Sequence, residues 1–439
     1  MRLPLLTALP VVCLHAVVCT GSALSAAESV RPNIVVIIAD DLGYADLSIQ
    51  GCTDITTPRI DSIAKEGVRF TNAYVTQAVC APSRAGWMTG RWQDRFGFEG
   101  NPSPGAKWGL PTGEKTIGDW MKAGGYATGI FGKWHLGEQP EYHPNARGFD
   151  EFYGFLSGEH SYFHAKDPKW GPLLRNSAPV KLDKYLTQSI ADECVSFISR
   201  HRDAPFFLVA AFNAPHEPMH APESYLKEFS NITDPRRRIY AAMVRALDDG
   251  VGTILDALRE NGLEKKTLLI FLSDNGGPIL EGAAINGSRN DPLRGGKAEL
   301  WEGGIRVPFF MRWPGRLPVG KVIDDPVISL DILPTATALA GVRPTSPMDG
   351  MDLLPWLEGH EAAPQRTPFF WKFYGRQVVR DGGMKLIRPE MGKGLELYNL
   401  NADISETKDV ASGNPEKVSE MKRVFDQWDR GNAKPIVQP

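Results

Sequence analysis

Four stretches of the chain are apolar through most of their length: Asn33 to Ala39, Ala127 to Gly132, Pro205 to Phe212 and Thr267 to Leu272. Strands that alternate apolar and polar residues have one wet face, whereas unbroken β-branched runs such as Asn33-Ile-Val-Val-Ile-Ile-Ala39 suit central parallel strands covered on both sides. Helical patterns lie between them. Pro58 to Glu66 reads as a helix closed by Gly67, followed by a strand from Val68 to Tyr74, and Thr116 to Ala123 reads as a short helix with Gly124-Gly125 behind it. Ile190, Cys194, Phe197 and Ile198 mark one apolar stripe, and Ile239, Met243, Leu247, Val251, Ile254 and Leu258 mark a longer one. Strands alternating with helices predict an α/β fold, an open and mostly parallel sheet with helices on both faces. From about Pro355 the texture changes. Thr367 to Tyr374, Gln377 to Arg380, Met384 to Arg388 and Leu395 to Leu400 read as short strands with Gly-containing turns, and Pro415 to Gln427 as a closing helix. The expected division is therefore a large domain over 28–354 and a small antiparallel sheet with a helix over 355–439.

In open parallel sheets ligands bind beyond the carboxyl ends of the strands. All four apolar runs end in polar residues: Asp40 and Asp41, Lys133 and His135, His216, and Asp274 and Asn275. Any one of these endings is also what an ordinary strand-to-loop turn prefers. A parallel sheet, however, brings all four to one edge. Carboxylates and an amide oxygen are hard donors, so Asp40, Asp41, Asp274 and Asn275 suit calcium or magnesium and not zinc. Cys80 heads the run Cys80-Ala-Pro-Ser-Arg-Ala-Gly-Trp-Met-Thr-Gly-Arg91. Pro82 and Ser83 fit a first helical turn, which places Cys80 at a helix N-terminus, an environment that favours an anion, with the Arg84 guanidinium one turn on. A buried structural thiol is the other reading of that cysteine on its own.

At 439 residues with a formal net charge of -3, the chain gives no electrostatic case for a nucleic-acid partner. Residues 1–27 read as a secretory signal, with Arg2, an apolar stretch through Val18 and small residues at Ser25-Ala26-Ala27. Pro10 and His15 interrupt that stretch, and no later one reaches the roughly 20 apolar residues of a membrane span. Secretion or a periplasmic location is expected, lysosomal or extracellular in a eukaryote. Cys13 and Cys19 leave with the signal. Cys194 lies on a helical apolar stripe, so a buried thiol is expected there over a disulfide to Cys52. Asn231 and Asn286 head glycosylation sequons.

The Cys-x-Pro-Ser-Arg run with its Met-Thr-Gly-Arg tail resembles the signature of the type I, formylglycine-dependent sulfatases, an arylsulfatase-like branch of the alkaline phosphatase superfamily. Gly132-Lys-Trp-His-Leu-Gly137, Ala-Pro-His216-Glu-Pro and the block Leu293-Arg-Gly-Gly-Lys297-Ala-Glu-Leu-Trp-Glu-Gly-Gly-Ile-Arg-Val-Pro308 match the same family, so the resemblance spans most of residues 33–400. It implies an alkaline-phosphatase-like fold and hydrolysis of a sulfate monoester. It implies that Cys80 is converted to formylglycine (3-oxoalanine) by a formylglycine-generating or anaerobic sulfatase-maturing enzyme. It further implies one calcium ion on Asp40, Asp41, Asp274, Asn275 and the modified Cys80, magnesium being possible. Arg84 and Lys133 would hold the sulfate, His216 with Lys297 would protonate the leaving oxygen, and His135 would act as base in the second step. A phosphomonoester or phosphonate hydrolase of the same superfold and an inactive saccharide-binding relative are the alternatives. The run His160-Ser-Tyr-Phe-His-Ala-Lys-Asp-Pro-Lys-Trp170 either stacks on sugar rings or packs as a surface loop. A sulfated saccharide is the expected substrate, ahead of a small aryl sulfate.

Overall fold

The computed structural model describes residues 31–279, 285–366 and 368–436. The expected signal segment and Thr367 lie outside them. A sheet of ten strands runs in the order Lys321–Ile323, Val68–Phe70, Phe309–Arg312, Thr267–Ser273, Asn33–Ala39, Phe206–Ala211, Ala127–Lys133, Glu151–Phe155, Leu174–Arg175 and Ala178–Pro179. The five central strands, from Thr267–Ser273 to Glu151–Phe155, are mutually parallel.

The uniform apolar runs have the predicted cause. Ile34, Val36 and Ile38 face one side of the sheet and pack with residues of the Cys80–Thr89, Ile117–Ala123 and Ile332–Ala340 helices. Val35, Ile37 and Ala39 face the other and pack with Pro58–Lys65, Leu186–Arg200 and Pro235–Glu260. Since both faces are dry, neither set can be polar. The short helix Ile117–Ala123 starts with a reciprocal capping box between Thr116 and Asp119. The 26-residue helix Pro235–Glu260 places Pro235 in its first turn behind the Asp234 cap.

One expectation needs correction. The strand foreseen over Val68 to Tyr74 is broken at Thr71 and Asn72. Val68–Phe70 stays in the main sheet, while Ala73–Tyr74 pairs with Val327–Ile328 in a separate two-stranded sheet. The side chains at the break are spent on Asp324: Thr71 donates to its carboxylate, and Asn72 to its carbonyl at 2.6 Å. The main sheet is mostly parallel, as expected, with antiparallel exceptions. Phe309–Arg312 runs antiparallel between two neighbours.

The C-terminal strands Phe369–Phe373, Arg376–Asp381, Met384–Arg388 and Glu396–Asn399 form the expected antiparallel meander. The Pro415–Asp429 helix covers it through Met421, Phe425 and Trp428, with Trp428 stacked on Phe370. The described residues form one compact unit. The meander shares a core with Tyr74, Ala78, Val79, Leu300 and Trp301, and Trp371 Nε1 donates to the Val75 carbonyl at 2.7 Å. Between the two sheets lies a closed ion network. Lys385 Nζ reaches Glu302 at 3.0 Å and Glu406 at 2.8 Å, all three side chains being fully buried. The Glu302 amide also donates to Glu406 at 2.7 Å. Among the described residues Cys52, Cys80 and Cys194 are free thiols, and Cys194 is buried as expected. Asn286 is buried too, donating to the Pro215 carbonyl, which makes its sequon a structural one.

Lys385→Met should therefore destabilise the whole protein, because it takes the cation from buried Glu406 and leaves Glu302 with Arg306 alone at 3.3 Å. Removing one partner from a buried ion pair costs roughly 3–5 kcal/mol. Denaturant unfolding is expected to show a loss of that order, and a change under about 1 kcal/mol would mean that the network contributes little.

Candidate active site

The strand ends converge as the sequence predicts, and they do so around one fully buried carboxylate. Asp40 follows directly on Ala39, and its Oδ2 takes a charged contact from Lys133 Nζ at 2.6 Å, Lys133 being the last residue of its own strand. Asp40 Oδ1 lies 3.6 Å from Cys80 Sγ. Burial would push the Asp40 carboxyl up, but the charges of Lys133, His216, Arg84 and Lys297 outweigh it and hold the group well below the usual carboxylate range.

Cys80 opens the ten-residue helix Cys80–Thr89, every residue of which is buried. One of the unpaired first-turn N–H groups, that of Ala81, donates to Asn101 Oδ1 at 2.9 Å. Arg84 lies one turn further on, as expected, and donates to Asp274 Oδ2 at 2.9 Å and to the Lys133 carbonyl at 3.0 Å. Burial and the charge of Asp40 push the Asp274 carboxyl up. Burial also pushes the Cys80 thiol up to about 12, with Asp40 and Asp274 adding to the effect.

Asp41 organises the other half of the site. Its Oδ2 accepts from Lys297 Nζ at 2.7 Å and lies 3.5 Å from His216 Nε2, while its Oδ1 accepts from Asn275 Nδ2 at 2.7 Å. Asp41 has a left-handed backbone, φ 64°, and its amide donates to Asp274 Oδ1 at 3.3 Å. One donor atom from each of Asp40, Asp41, Cys80 and His216 lies within 4.8 Å of the others. Asn275 Oδ1 is buried and has no hydrogen-bond partner. That is what an oxygen awaiting a cation looks like, since a buried polar atom left unpaired costs free energy.

The two histidines are neutral for the same reason. Burial together with Lys133 and Arg84 pushes His135 well below its ordinary value, and burial with Lys297 pushes His216 down to about 4. His216 Nδ1 contacts the Glu217 carbonyl at 2.7 Å, a contact that requires the hydrogen on Nδ1 and leaves Nε2 bare toward Asp41. His135 has φ 59°, and its Nδ1 is unpartnered. Lys297 keeps its proton firmly. Burial works against the charge, yet Asp41 raises the ammonium above its usual range.

The predicted catalytic and metal-binding residues thus lie in one cluster, and Cys80, His135, His216 and Lys297 line a cavity of about 270 Å³. Trp170, in the run foreseen to stack on sugar rings or pack as a loop, is another wall, while Asn101 to Pro104, Gly158, Glu159 and Glu217 were missed. Gly158 and Glu159 lie just past the Glu151–Phe155 strand, which the sequence reading did not identify, so the strand-end rule was never applied there. Glu217 adjoins His216 in the quoted motif. The aromatic run 160–170 divides between its two readings. His160 stacks on Phe155, and buried Tyr162 donates to the carbonyls of Asn213 and His216 at 2.6 and 2.8 Å, whereas Trp170 faces the cavity.

Comparison with known proteins agrees with this geometry. A family model for the sulfatases matches residues 32–342, and one for the C-terminal part of N-sulphoglucosamine sulphohydrolase matches residues 296–429. N-acetylgalactosamine-6-sulfatase of Rattus norvegicus is 35% identical over 362 residues, which is 77% of this chain and 68% of that protein. Arylsulfatase A of Homo sapiens is 35% identical over 81% of this chain and 74% of its own length. The crystal structure of Ps i-CgsB in complex with k-i-k-neocarrahexaose superposes with a TM-score of 0.87 at 38% identity, covering 92% of this chain and 94% of that one.

A Cβ on Gly158 would lie 2.6 Å from both Cε1 and Nε2 of His135. Gly158→Ala is therefore expected to displace that imidazole. Misplacement by about 1 Å can cost on the order of a hundredfold in rate. Turnover should fall by about that factor with an unchanged melting temperature, and wild-type turnover would show that the ring position is not critical.

Proposed function

The chain belongs to the sulfatase family and is a sulfuric ester hydrolase, and from that premise we propose that it releases sulfate from a saccharide through a formylglycine made from Cys80 and one hard divalent cation. The observation that carries this reading is Cys80 at the start of a buried helix, 3.6 Å from Asp40, with two cations and two neutral imidazoles around it. A thiol pushed up to about 12 is a poor nucleophile at neutral pH, which speaks against the unmodified side chain as the attacking group. The similarity to proteins named for, or crystallised with, sugars supports a saccharide substrate. The leader pattern of residues 1–27 supports export, and maturation of Cys80 calls for a modifying enzyme as partner.

The donor set fits calcium, or magnesium, for which Asp40, Asp41, Asp274 and Asn275 supply oxygen. When present, formylglycine supplies a hydroxyl nucleophile and the cation supplies positive charge at the sulfate oxygens. The remaining work falls to side chains of the chain itself. Lys133 and Arg84 hold the sulfate charge and orient the ester. His135, kept neutral, is free to accept a proton at its unpartnered Nδ1. Lys297 and His216 face the leaving oxygen. Since His216 Nε2 is bare in the resting site, Lys297 is the member with a proton to give.

A desulfation panel of defined sulfated mono-, di- and polysaccharides tests the reading, together with the mass of the peptide that carries Cys80. Release of sulfate from a sugar and the formylglycine mass are expected, and Cys80→Ala should abolish turnover in a folded protein. A fully active preparation with only the free thiol would exclude the modification. General acid catalysis contributes roughly 10²–10⁴-fold and matters more for a sugar alkoxide than for a nitrophenolate. Lys297→Ala should therefore lose more on a saccharide ester than on an aryl sulfate. If His216→Ala shows the steeper difference instead, His216 is the donor.

The cation has its own test. Elemental analysis after dialysis should find about one calcium or magnesium per chain, and Asn275→Ala should lower that occupancy. Zinc at two equivalents would contradict a hard-cation site.

A further inference from the structure

The cavity above Cys80 is lined by two unlike sets of groups. Toward the reacting centre it presents Lys297 and the two neutral imidazoles, a surface suited to an anion. The same cavity is lined by Glu159 and Glu217, both half-buried, and by half-buried Trp170. Among the described residues, neither glutamate side chain has a hydrogen bond or an ion pair. The arrangement is unfavourable as it stands. Burial and the Glu217 charge push Glu159 up to about 7, with Lys169 and Lys133 only partly opposing. The nine-tenths-buried His135, with its unpartnered Nδ1, opens into the same space.

Two carboxylates facing an incoming anion weaken its binding unless they offer something else to the substrate. What they offer is four acceptor oxygens, and the groups those oxygens suit are hydroxyls. Trp170 adds a flat apolar surface that suits the C–H face of a pyranose ring. At about 270 Å³ the space is smaller than most drug-sized ligand pockets and fits a single ring.

We propose that Glu159, Glu217 and Trp170 seat the sugar ring that carries the ester, and that they select a ring whose neighbouring positions are free hydroxyls over one with a second sulfate or a carboxylate beside the ester. This inference rests on the saccharide reading. It adds which sugars qualify. A hydroxyl loses two charge-assisted acceptors when it is replaced by an anion, and the anion meets like charge in a partly dry cavity. Sites built to bind a hydroxyl discriminate strongly against substrates that lack it.

The test compares kcat/KM on two substrates, a hexose monosulfate with its other hydroxyls free and the same hexose with a second sulfate on the adjacent oxygen. Hydrogen bonds to charged groups are strong enough for roughly tenfold effects or more. The wild-type enzyme is expected to prefer the monosulfate by at least about tenfold. In Glu159→Gln the monosulfate should lose about tenfold, chiefly through KM, while the disulfate improves, so that the preference collapses. Glu217→Gln should move the ratio in the same direction, and Trp170→Ala should raise KM for both substrates alike. Melting temperatures near that of the wild type exclude misfolding as the cause. An unchanged ratio in both glutamine variants, or a wild-type preference for the disulfate, overturns the proposal. So does a second bound cation that is lost in Glu159→Gln. Should the wild-type enzyme cleave aryl sulfates and no sugar sulfate at all, the saccharide reading itself fails. Cleavage of sugars with an unmoved ratio removes only the seat.

Discussion

Three carboxylates cannot share one dry site unless charge of the opposite sign is built in beside them. Asp40, Asp41 and Asp274 are all but fully buried, and each has a cation of the chain in direct contact: Lys133 for Asp40, Lys297 for Asp41 and Arg84 for Asp274. An uncompensated charge at any of these points would cost several kcal/mol, on the order of the stability of a whole domain. The architecture follows from that requirement. Parallel strands bring Asp40, Lys133 and Asp274 to one edge, and the Cys80 helix carries Arg84 in from the side. Three anions against three cations leave the cluster near neutrality. A divalent cation bound there, as proposed, would make it positive, a state that suits a sulfate monoester.

Such a balance tolerates little displacement, and the backbone shows what is needed to hold it. Asp41, His135 and Ala298, the last next to Lys297, all adopt left-handed φ values without being glycine. Each costs of order 1–3 kcal/mol and persists only where its surroundings enforce it. The enforcing bonds are present. The Asp41 amide donates to Asp274, the His135 amide to the Leu156 carbonyl, and the Ala298 amide to the Ala78 carbonyl. Here the C-terminal meander acquires a role in the site. Arg376 donates to the Ala298 carbonyl at 2.6 Å, and Lys385 fixes Glu302 five residues beyond Lys297. Although the small sheet contributes no group to the charged cluster, it braces the segment that contributes Lys297.

How much of this could be read beforehand depended on how many faces of an element are buried. Strands dry on both sides must be apolar throughout, so Asn33–Ala39, Phe206–Ala211 and Thr267–Ser273 announced themselves, and their polar endings announced the site. Phe309–Arg312 is just as buried, but four residues give no sign of direction, and its antiparallel pairing was invisible. The Thr71–Asn72 break depends on Asp324, some 250 positions away in sequence, which local reasoning cannot reach. Glu159 was hidden for another reason. The strand before it, Glu-Phe-Tyr-Gly-Phe, is short and opens with a charge, so its end was never inspected.

The same burial that demands the ion pairs also sorts the titratable groups by task. Taking a group out of water penalises its charged form, which lowers an imidazole and raises a thiol. His135 and His216 are accordingly neutral, while Lys297 escapes this rule because Asp41 touches it at 2.7 Å. A base has to be empty before it can work, and an acid has to be loaded. Burial and charged neighbours move both imidazoles and the ammonium away from neutrality, so the cluster supplies one of each and proton traffic through them is directed by position and not by a compromise pKa. By the same logic Cys80 is locked as a thiol at the point where a nucleophile is needed. Unchanged, it would be the one inert group in the centre of the site, and that mismatch between place and chemistry is the strongest physical argument that the residue acts in another form.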